Sequence, residues 1–147
     1  MKREILFRGK RVDNGEWVHG KGLQQCKDEL GNEIVAIFTD IVKSAEKYIK
    51  KEGRYTLYYV PVKAETLGQY TGLKDKKRKK IFEWDILFQG QELLGVVCIS
   101  KRYGVSILKK TTTWSLINFV LDSDFDAGVL SDIEVRGNIY DNPELIK

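Results

Sequence analysis

The segment IFEWDILF at residues 81–88 is an apolar and aromatic run, which is typical of a β-strand. Further runs of this type follow at residues 93–100, 105–109, 115–121 and 133–140, and the turns between them contain Gly, Asp or Lys. Strands at this close and even spacing are typical of a small β-barrel or a strongly curved antiparallel sheet. The C-terminal part of the chain is therefore predicted to be β structure.

The N-terminal part is predicted to hold two hairpins and one helix. Asp13-Asn14-Gly15 and Gly31-Asn32 supply turn residues between β-rich runs. Residues 40–51 carry apolar side chains at helical spacing, which predicts an α-helix there. We therefore expect a mainly β protein with one helix, divided into an N-terminal unit of β hairpins plus helix at residues 1–66 and a small β-barrel-like unit at residues 67–147, with a single compact domain as the alternative.

Composition favours a soluble protein of a reducing compartment. The 147 residues are 42% hydrophobic and 31% charged, and the longest apolar run, residues 93–99, is far shorter than a membrane span. The N-terminus lacks the apolar stretch of a secretion signal. Cys26 and Cys98 form no paired motif, so both are predicted to be small buried side chains. We expect a cytoplasmic protein without membrane contact.

One basic loop holds the excess positive charge. Its cations are Lys74, Lys76, Lys77, Arg78, Lys79 and Lys80. Together with Asp75 they give the loop a charge of +5, whereas the net charge of the chain is +4, so the charges of all other residues sum to −1. Clustered cations attract nucleic acid by releasing counterions from phosphates, although such a cluster is also common in a solvated turn. Tyr70, Phe82 and Trp84 could stack on bases if they face outward, but alternation puts Phe82 and Trp84 on one face, which favours a core.

The remaining candidates for chemistry are weak. Residues 122–126 place three Asp side chains as in a calcium loop, but Ala127 and Ile133 stand where that loop needs Gly and Glu. His19 has no ligand partners at zinc spacing and is predicted to lie at the surface. The nucleotide-binding and nucleophile motifs are missing from the sequence. We therefore predict no catalytic residue, no metal and no cofactor.

Two longer segments carry a specific pattern. The first is GQYTGLKDK at residues 68–76, which continues into KIFEWDI at residues 80–86, and the second is VRGNIYDNPEL at residues 135–145. Together with the opening REILFR and the GEWV that follows it, they resemble the YopX family of phage and prophage proteins. That resemblance implies a mainly β fold, a phage-derived gene and a bacterial host cell, but it implies no activity and no catalytic residue.

The resembling segments also predict local structure. We expect packing residues and a terminal helical turn at residues 142–145; the packing residues are Tyr70, Ile81, Ile86, Ile139, Tyr140 and Leu145. The family commonly has Asn-Gly where Lys77-Arg78 stand, and Gly where Trp84 stands. Without the glycine at residue 78 we expect a wider or more mobile loop.

Function is predicted only by class. The absence of reactive clusters and the expected exposed strand edges favour a non-enzymatic accessory protein that binds another phage or host protein, with self-association as a possible by-product. A nucleic-acid-binding module that uses the basic loop is the alternative. An enzyme with an unrecognised carboxylate site is the second alternative, because carboxylate enzymes leave weak traces in a sequence.

Overall fold

The structure, a computed structural model, describes residues 4–39, 49–52, 55–116 and 128–147, and most of them form antiparallel β-strands. These residues pack into two compact units, Glu4–Gln69 and Tyr70–Lys147. Each unit has its own cluster of buried apolar side chains. The prediction of a mainly β fold is confirmed.

The N-terminal unit contains two sheets. Its strands are β1 (Phe7–Lys10), β2 (Trp17–Gly20), β3 (Gly22–Lys27), β4 (Glu33–Thr39), β5 (Ile49–Glu52) and β6 (Tyr55–Val62), and a 3₁₀ turn follows at Ala64–Thr66. One sheet has the order β3-β4-β6-β5, and the other joins β1 to β2 and to the first two residues of β7 (Gly68–Lys74). Both predicted hairpins are confirmed. Their core is Val18, Ile37, Val60 and Val62.

The strands of the C-terminal unit are the rest of β7, β8 (Lys80–Phe82), β9 (Asp85–Gln89), β10 (Glu92–Ser100), β11 (Gly104–Lys109), β12 (Thr112–Ser115) and β13 (Ile133–Asn138). The last five form one sheet with the order β12-β11-β10-β9-β13, and β8 pairs with β7. The chain ends in a 3₁₀ turn at Pro143–Ile146, which confirms the predicted terminal turn. The strand predicted at residues 115–121 shares only its first residue with β12, and residues 117–121 lie outside the described part.

The core of the C-terminal unit comes from six segments of the chain. It consists of Ile81, Leu87, Val97, Ile107, Leu116, Leu130, Ile133 and Val135. Among the predicted packing residues, Tyr70, Ile81 and Ile86 are buried, whereas Ile139, Tyr140 and Leu145 are half-buried. The packing prediction is therefore correct for the strands and weaker for the C-terminal turn.

The predicted helix is not found. Residues 49–52 of that segment form β5, in which Ile49 is paired with Tyr58, and residues 40–48 lie outside the described part. A short segment with mixed periodicity is decided by its tertiary pairing, here with β6, rather than by its apolar spacing. Within the described residues no helix is long and apolar enough to cross a membrane.

The prediction of a barrel is wrong for the described residues, because the sheets there are open. Strand β13 does not close onto β12 at the other end of the sheet. Its outer edge is instead used by the basic loop, where the Lys76 N–H donates to Ile133 O at 2.9 Å. Curvature comes from a bulge between Leu93 and Gly95 in β10, where Gly95 has φ 142°.

The predicted single strand at residues 81–88 is two strands joined by a corner. Strand β8 pairs with β7, whereas β9 pairs with β10 and β13. The corner is Glu83-Trp84, with Trp84 at φ 74° and the Phe82 N–H donating to Asp85 Oδ2 at 2.8 Å. A left-handed residue breaks the alternation, so the predicted common face of Phe82 and Trp84 does not exist.

Candidate functional site

The basic loop connects β7 to β8 as a tight turn. The Arg78 N–H donates to Asp75 O at 2.8 Å, and the Asp75 N–H donates to Lys79 O at 2.9 Å. Arg78 adopts the left-handed region at φ 64°, the place where this hairpin geometry prefers glycine. The expectation of a wider loop is wrong, because an arginine takes the conformation that the family glycine would adopt.

The carboxylate of Asp75 organises this turn from inside. Asp75 is 1% exposed. Its Oδ1 accepts the N–H groups of Lys77 and Lys79, both at 2.9 Å, and its Oδ2 accepts the Val135 N–H at 3.0 Å. A buried carboxylate is stable only when its oxygens are hydrogen-bonded. Asp75 therefore fixes the backbone of the loop and ties it to β13.

The cations of the loop point away from this buried carboxylate. Lys76, Lys77, Arg78 and Lys79 are exposed, whereas Lys74 and Lys80 are half-buried. Among the described residues no carboxylate forms an ion pair with Arg78 or Lys79. The turn thus presents four successive exposed cations on a fixed backbone.

Glu134 of β13 neutralises part of this charge. Lys77 Nζ lies 2.7 Å from Glu134 Oε1, and Lys76 Nζ lies 3.3 Å from Oε2. The hydrogen bond from Lys77, then that from Lys76, lowers the pKa of Glu134, and the hydrogen bond and charge of Glu134 raise the pKa of Lys77. Because the pKa of Glu134 is lowered, the ion pair stabilises the fold at pH values above the ordinary Glu pKa, and this stabilisation is lost as pH falls through the lowered pKa. Because the pKa of Lys77 is raised, the ion pair persists at high pH until pH rises through that raised pKa.

Arg136 belongs to the same surface, and sequence reasoning missed it. Its Nη2 donates to Gly90 O at 2.5 Å, its Nε lies 3.9 Å from Glu134 Oε2, and its guanidinium lies over the Phe88 ring at 4.5 Å from the centroid. Arg136 is 58 positions after Arg78 in sequence, so only the pairing of β13 with the loop brings it there. The strand alternation that points Glu134 and Arg136 outward was the available signal.

The aromatic residues beside the loop do not form an open stacking platform. Tyr70 and Phe82 are 6% and 4% exposed and pack on each other at a centroid distance of 5.5 Å. Lys80 Nζ lies 5.5 Å from the centroid of the Tyr70 ring, which holds this lysine against the protein. Trp84 is half-buried. The surface around the loop is therefore electrostatic rather than aromatic.

The other sequence candidates are not brought together. His19 is exposed, as predicted, and Cys26 and Cys98 are half-buried free thiols rather than fully buried ones. Burial, then the charge of Glu83, raises the pKa of the Cys98 thiol, which disfavours the reactive thiolate. Within the described part of the chain no group of three or more potential ligands could hold a metal. The acidic run at residues 122–126 lies outside the described residues.

The C-terminal segment is a structural motif. Asn138 Oδ1 accepts the N–H groups of Tyr140 and Asp141, both at 3.0 Å, and Asn138 O accepts the Asn142 N–H at 2.9 Å. A Cβ on Gly137 would collide with the Asn142 side chain. These residues shape the turn after β13, so this part of the recognisable pattern has a structural role.

Three comparisons relate the chain to known proteins. The family described as YopX protein matches residues 6–147. No protein with a curated description matches the chain. A solved structure, the crystal structure of protein EF1440 from Enterococcus faecalis, is similar at 19% sequence identity with a TM-score of 0.49, covering 99% of this chain and 100% of that chain.

Proposed function

We propose that this chain, which belongs to the YopX family, is a non-enzymatic phage or prophage accessory protein of the bacterial cytoplasm. Its basic loop binds the phosphate backbone of nucleic acid. The observation that supports this proposal is the row of four exposed cations, Lys76 to Lys79, on a turn fixed by the buried Asp75 carboxylate. A fixed backbone reduces the entropy lost when the cations engage phosphates.

The chemistry predicts binding without sequence preference. Lysine and arginine side chains contact phosphate oxygens, and the two neighbouring aromatic residues that could read bases are buried. Affinity should therefore depend steeply on salt and little on sequence. Part of the loop charge is already compensated by Glu134, so we expect moderate affinity.

The test replaces Lys76, Lys77 and Arg78 by Gln. Binding to a labelled 20-base-pair duplex is followed by fluorescence anisotropy between 50 and 200 mM KCl, conditions in which backbone contacts dominate. We expect weaker binding to all duplexes alike, and a log-affinity versus log-salt slope that is flatter by roughly 0.9 for each phosphate that the variant no longer neutralises. The free energy of unfolding should change little, because the ion pairs with Glu134 are screened by solvent.

A charge-matched control is available in the other unit. Lys21, Lys27 and Lys63 are exposed there, and their replacement by Gln removes the same number of charges. The proposal requires this variant to keep the wild-type slope. An equal decrease in slope in both triple variants would show that net charge alone matters, and an unchanged slope in the loop variant would reject the loop as the interface.

A second candidate is a protein partner that adds a strand to the outer edge of β3, with which no strand of the described residues pairs. Strand β3 is terminal in its sheet, and Leu23, Gln24 and Gln25 are exposed. The Asp28 N–H donates to Asn32 O, and ladder alternation from that bond directs the N–H of Gln25 outward. Gln25→Pro should therefore preserve stability and abolish the binding of such a partner. If the Gln25→Pro variant still captures the partner after nuclease treatment, this edge is not the binding site.

A further inference from the structure

Positive charge continues beyond the basic loop along one end of the five-stranded sheet. At this end β11 finishes at Lys109, β10 begins at Glu92, β9 finishes at Gln89 and β13 begins at Ile133. The register pairs Glu92 with Gln89, and Gln89 with Ile133. The turn after β11 is therefore on the same end of the sheet as the β13 residues that contact the basic loop.

Two groups of contacts lie at this end of the sheet. Lys109 Nζ lies 3.9 Å from Glu92 Oε1 at the start of β10. In the adjoining turn Gly90 O accepts the Arg136 guanidinium, and Arg136 Nε lies 3.9 Å from Glu134. Glu134 in turn holds Lys76 and Lys77. Glu134 thus lies between the loop lysines and Arg136, and Glu92 contacts Lys109 at the far end of the row.

The row has a clear excess of positive charge. Among the described residues its cations are Lys76, Lys77, Arg78, Lys79, Lys109, Lys110 and Arg136, and its solvent-accessible carboxylates are Glu92, Asp132 and Glu134, which leaves an excess of four in that part of the chain. Three strand spacings separate β11 from β13, which corresponds to roughly 15 Å. That distance is less than half of a duplex turn, which is about 34 Å.

We infer that the nucleic-acid interface is this whole row, and that one phosphate backbone crosses the end of the sheet from the basic loop through Arg136 to Lys109 and Lys110. The inference rests on the proposed function and extends it, because it assigns a path and a second contact point. Duplex DNA fits the row because its backbone carries one charge per about 1.7 Å of axis, a density that a flexible acidic polypeptide does not hold in a fixed line.

The experiment compares two double variants of the full chain that remove the same charge from opposite ends of one sheet. Lys109→Gln with Lys110→Gln changes the proposed second contact. Lys101→Gln with Arg102→Gln changes the exposed β10–β11 turn at the other end. The probe is a 20-base-pair duplex of arbitrary sequence, titrated between 50 and 200 mM KCl. Polyglutamate of equal charge is the competitor.

The first double variant should flatten the log-affinity versus log-salt slope by roughly 0.9 to 1.8, which corresponds to one or two phosphates that are no longer neutralised. The variant at the other end should keep the wild-type slope. If the loop variant has a flatter slope and the Lys109/Lys110 variant does not, the extended row is wrong while the proposed function stands. If neither the wild type nor any variant binds the duplex, both are wrong.

Two further outcomes also decide the matter. An equally flattened slope in both double variants would reduce the effect to net charge and overturn the path. Displacement of the duplex by an equal charge of polyglutamate, with the same dependence on Lys109 and Lys110, would assign the row to an acidic polypeptide and overturn nucleic acid as its ligand. Thermal unfolding of each variant confirms that a flatter slope reflects weaker phosphate binding rather than unfolding.

Discussion

The same five-residue turn occurs in both units, with different consequences. In the N-terminal unit the Asp28 N–H donates to Asn32 O, and Asp28 O accepts the Gly31 N–H. In the C-terminal unit Asp75 makes the equivalent bonds to Lys79 and Arg78. In both turns the Oδ1 atom of the Asp accepts the N–H groups of the second and fourth following residues.

The two turns differ at the other carboxylate oxygen. Asp28 Oδ2 accepts the side chain of Asn32, within its own turn, at 3.1 Å, whereas Asp75 Oδ2 accepts the N–H of Val135, 60 residues away. One turn is therefore local and accessible to solvent, and the other is buried and part of the tertiary structure. The comparison teaches that a turn anchored to a distant strand can carry four exposed cations, one of them an arginine at the left-handed position where the local turn has a glycine.

The largest expected effect separates the two carboxylates. Asp75→Ala leaves three N–H groups without their acceptor and should lower the free energy of unfolding by about 3 kcal/mol. Asp28→Ala removes only a local hydrogen-bond acceptor from a solvent-accessible turn and should cost much less. Urea denaturation of both variants measures the difference.

The control for these variants is Asp132→Ala, because Asp132 is an exposed carboxylate beside the same strand β13. It should change the free energy of unfolding by less than about 0.5 kcal/mol. Equal costs for Asp75→Ala and Asp28→Ala would contradict the view that the Val135 bond makes the second turn part of the tertiary structure.

The next effect concerns the left-handed position. Gly31 has φ 83° and Arg78 has φ 64°. A side chain in this region costs roughly 1 to 2 kcal/mol, partly offset by the greater chain entropy that glycine loses on folding. Gly31→Arg should therefore lower the free energy of unfolding by about 1 kcal/mol, and Arg78→Gly should raise it by a similar amount.

Arg78→Gln serves as the control, because it removes the charge and keeps the strained backbone. It should leave stability close to that of the wild type. A gain for Arg78→Gln equal to that for Arg78→Gly would show that charge repulsion among the lysines, and not the backbone conformation, is what glycine relieves.

The two turns also show how much could be predicted from sequence. The hairpin at Gly31-Asn32 was predicted because its glycine is visible, whereas Arg78 and Trp84 occupy left-handed positions without a residue that signals them. The glycines that the family commonly has at those two positions were the usable signal for the tight loop and for the corner that splits residues 81–88. The glycine missing at residue 78 predicts a wider loop only if its conformation is lost with it, and Arg78 keeps that conformation.

The candidate site was predictable only in part, for a related reason. The cations of the loop are contiguous in sequence, so their cluster is visible in composition. Arg136, Glu134 and Lys109 join them through the register of β13, β9, β10 and β11, which is set by strand pairing. The predicted helix failed in the same way, since β5 is defined by its partner β6.

The smallest expected effect tests the local character of the Asp28 turn. The side-chain hydrogen bond from Asn32, followed by its backbone N–H, holds the pKa of Asp28 below its ordinary value. Because the folded pKa is lowered, this turn contributes stability above the ordinary Asp pKa of about 3.9, and the contribution is lost as pH falls through the lowered value.

Asn32→Ala should therefore move the pKa of Asp28 upward, but not fully to its ordinary value, since the backbone N–H groups remain. An NMR titration of the Asp28 carboxyl carbon measures the shift, with Glu134 in the other unit as an internal reference that should not move. A pKa of Asp28 that is unchanged in Asn32→Ala would mean that the backbone bonds alone hold the carboxylate, and the two turns would then differ only in the bond from Asp75 to Val135.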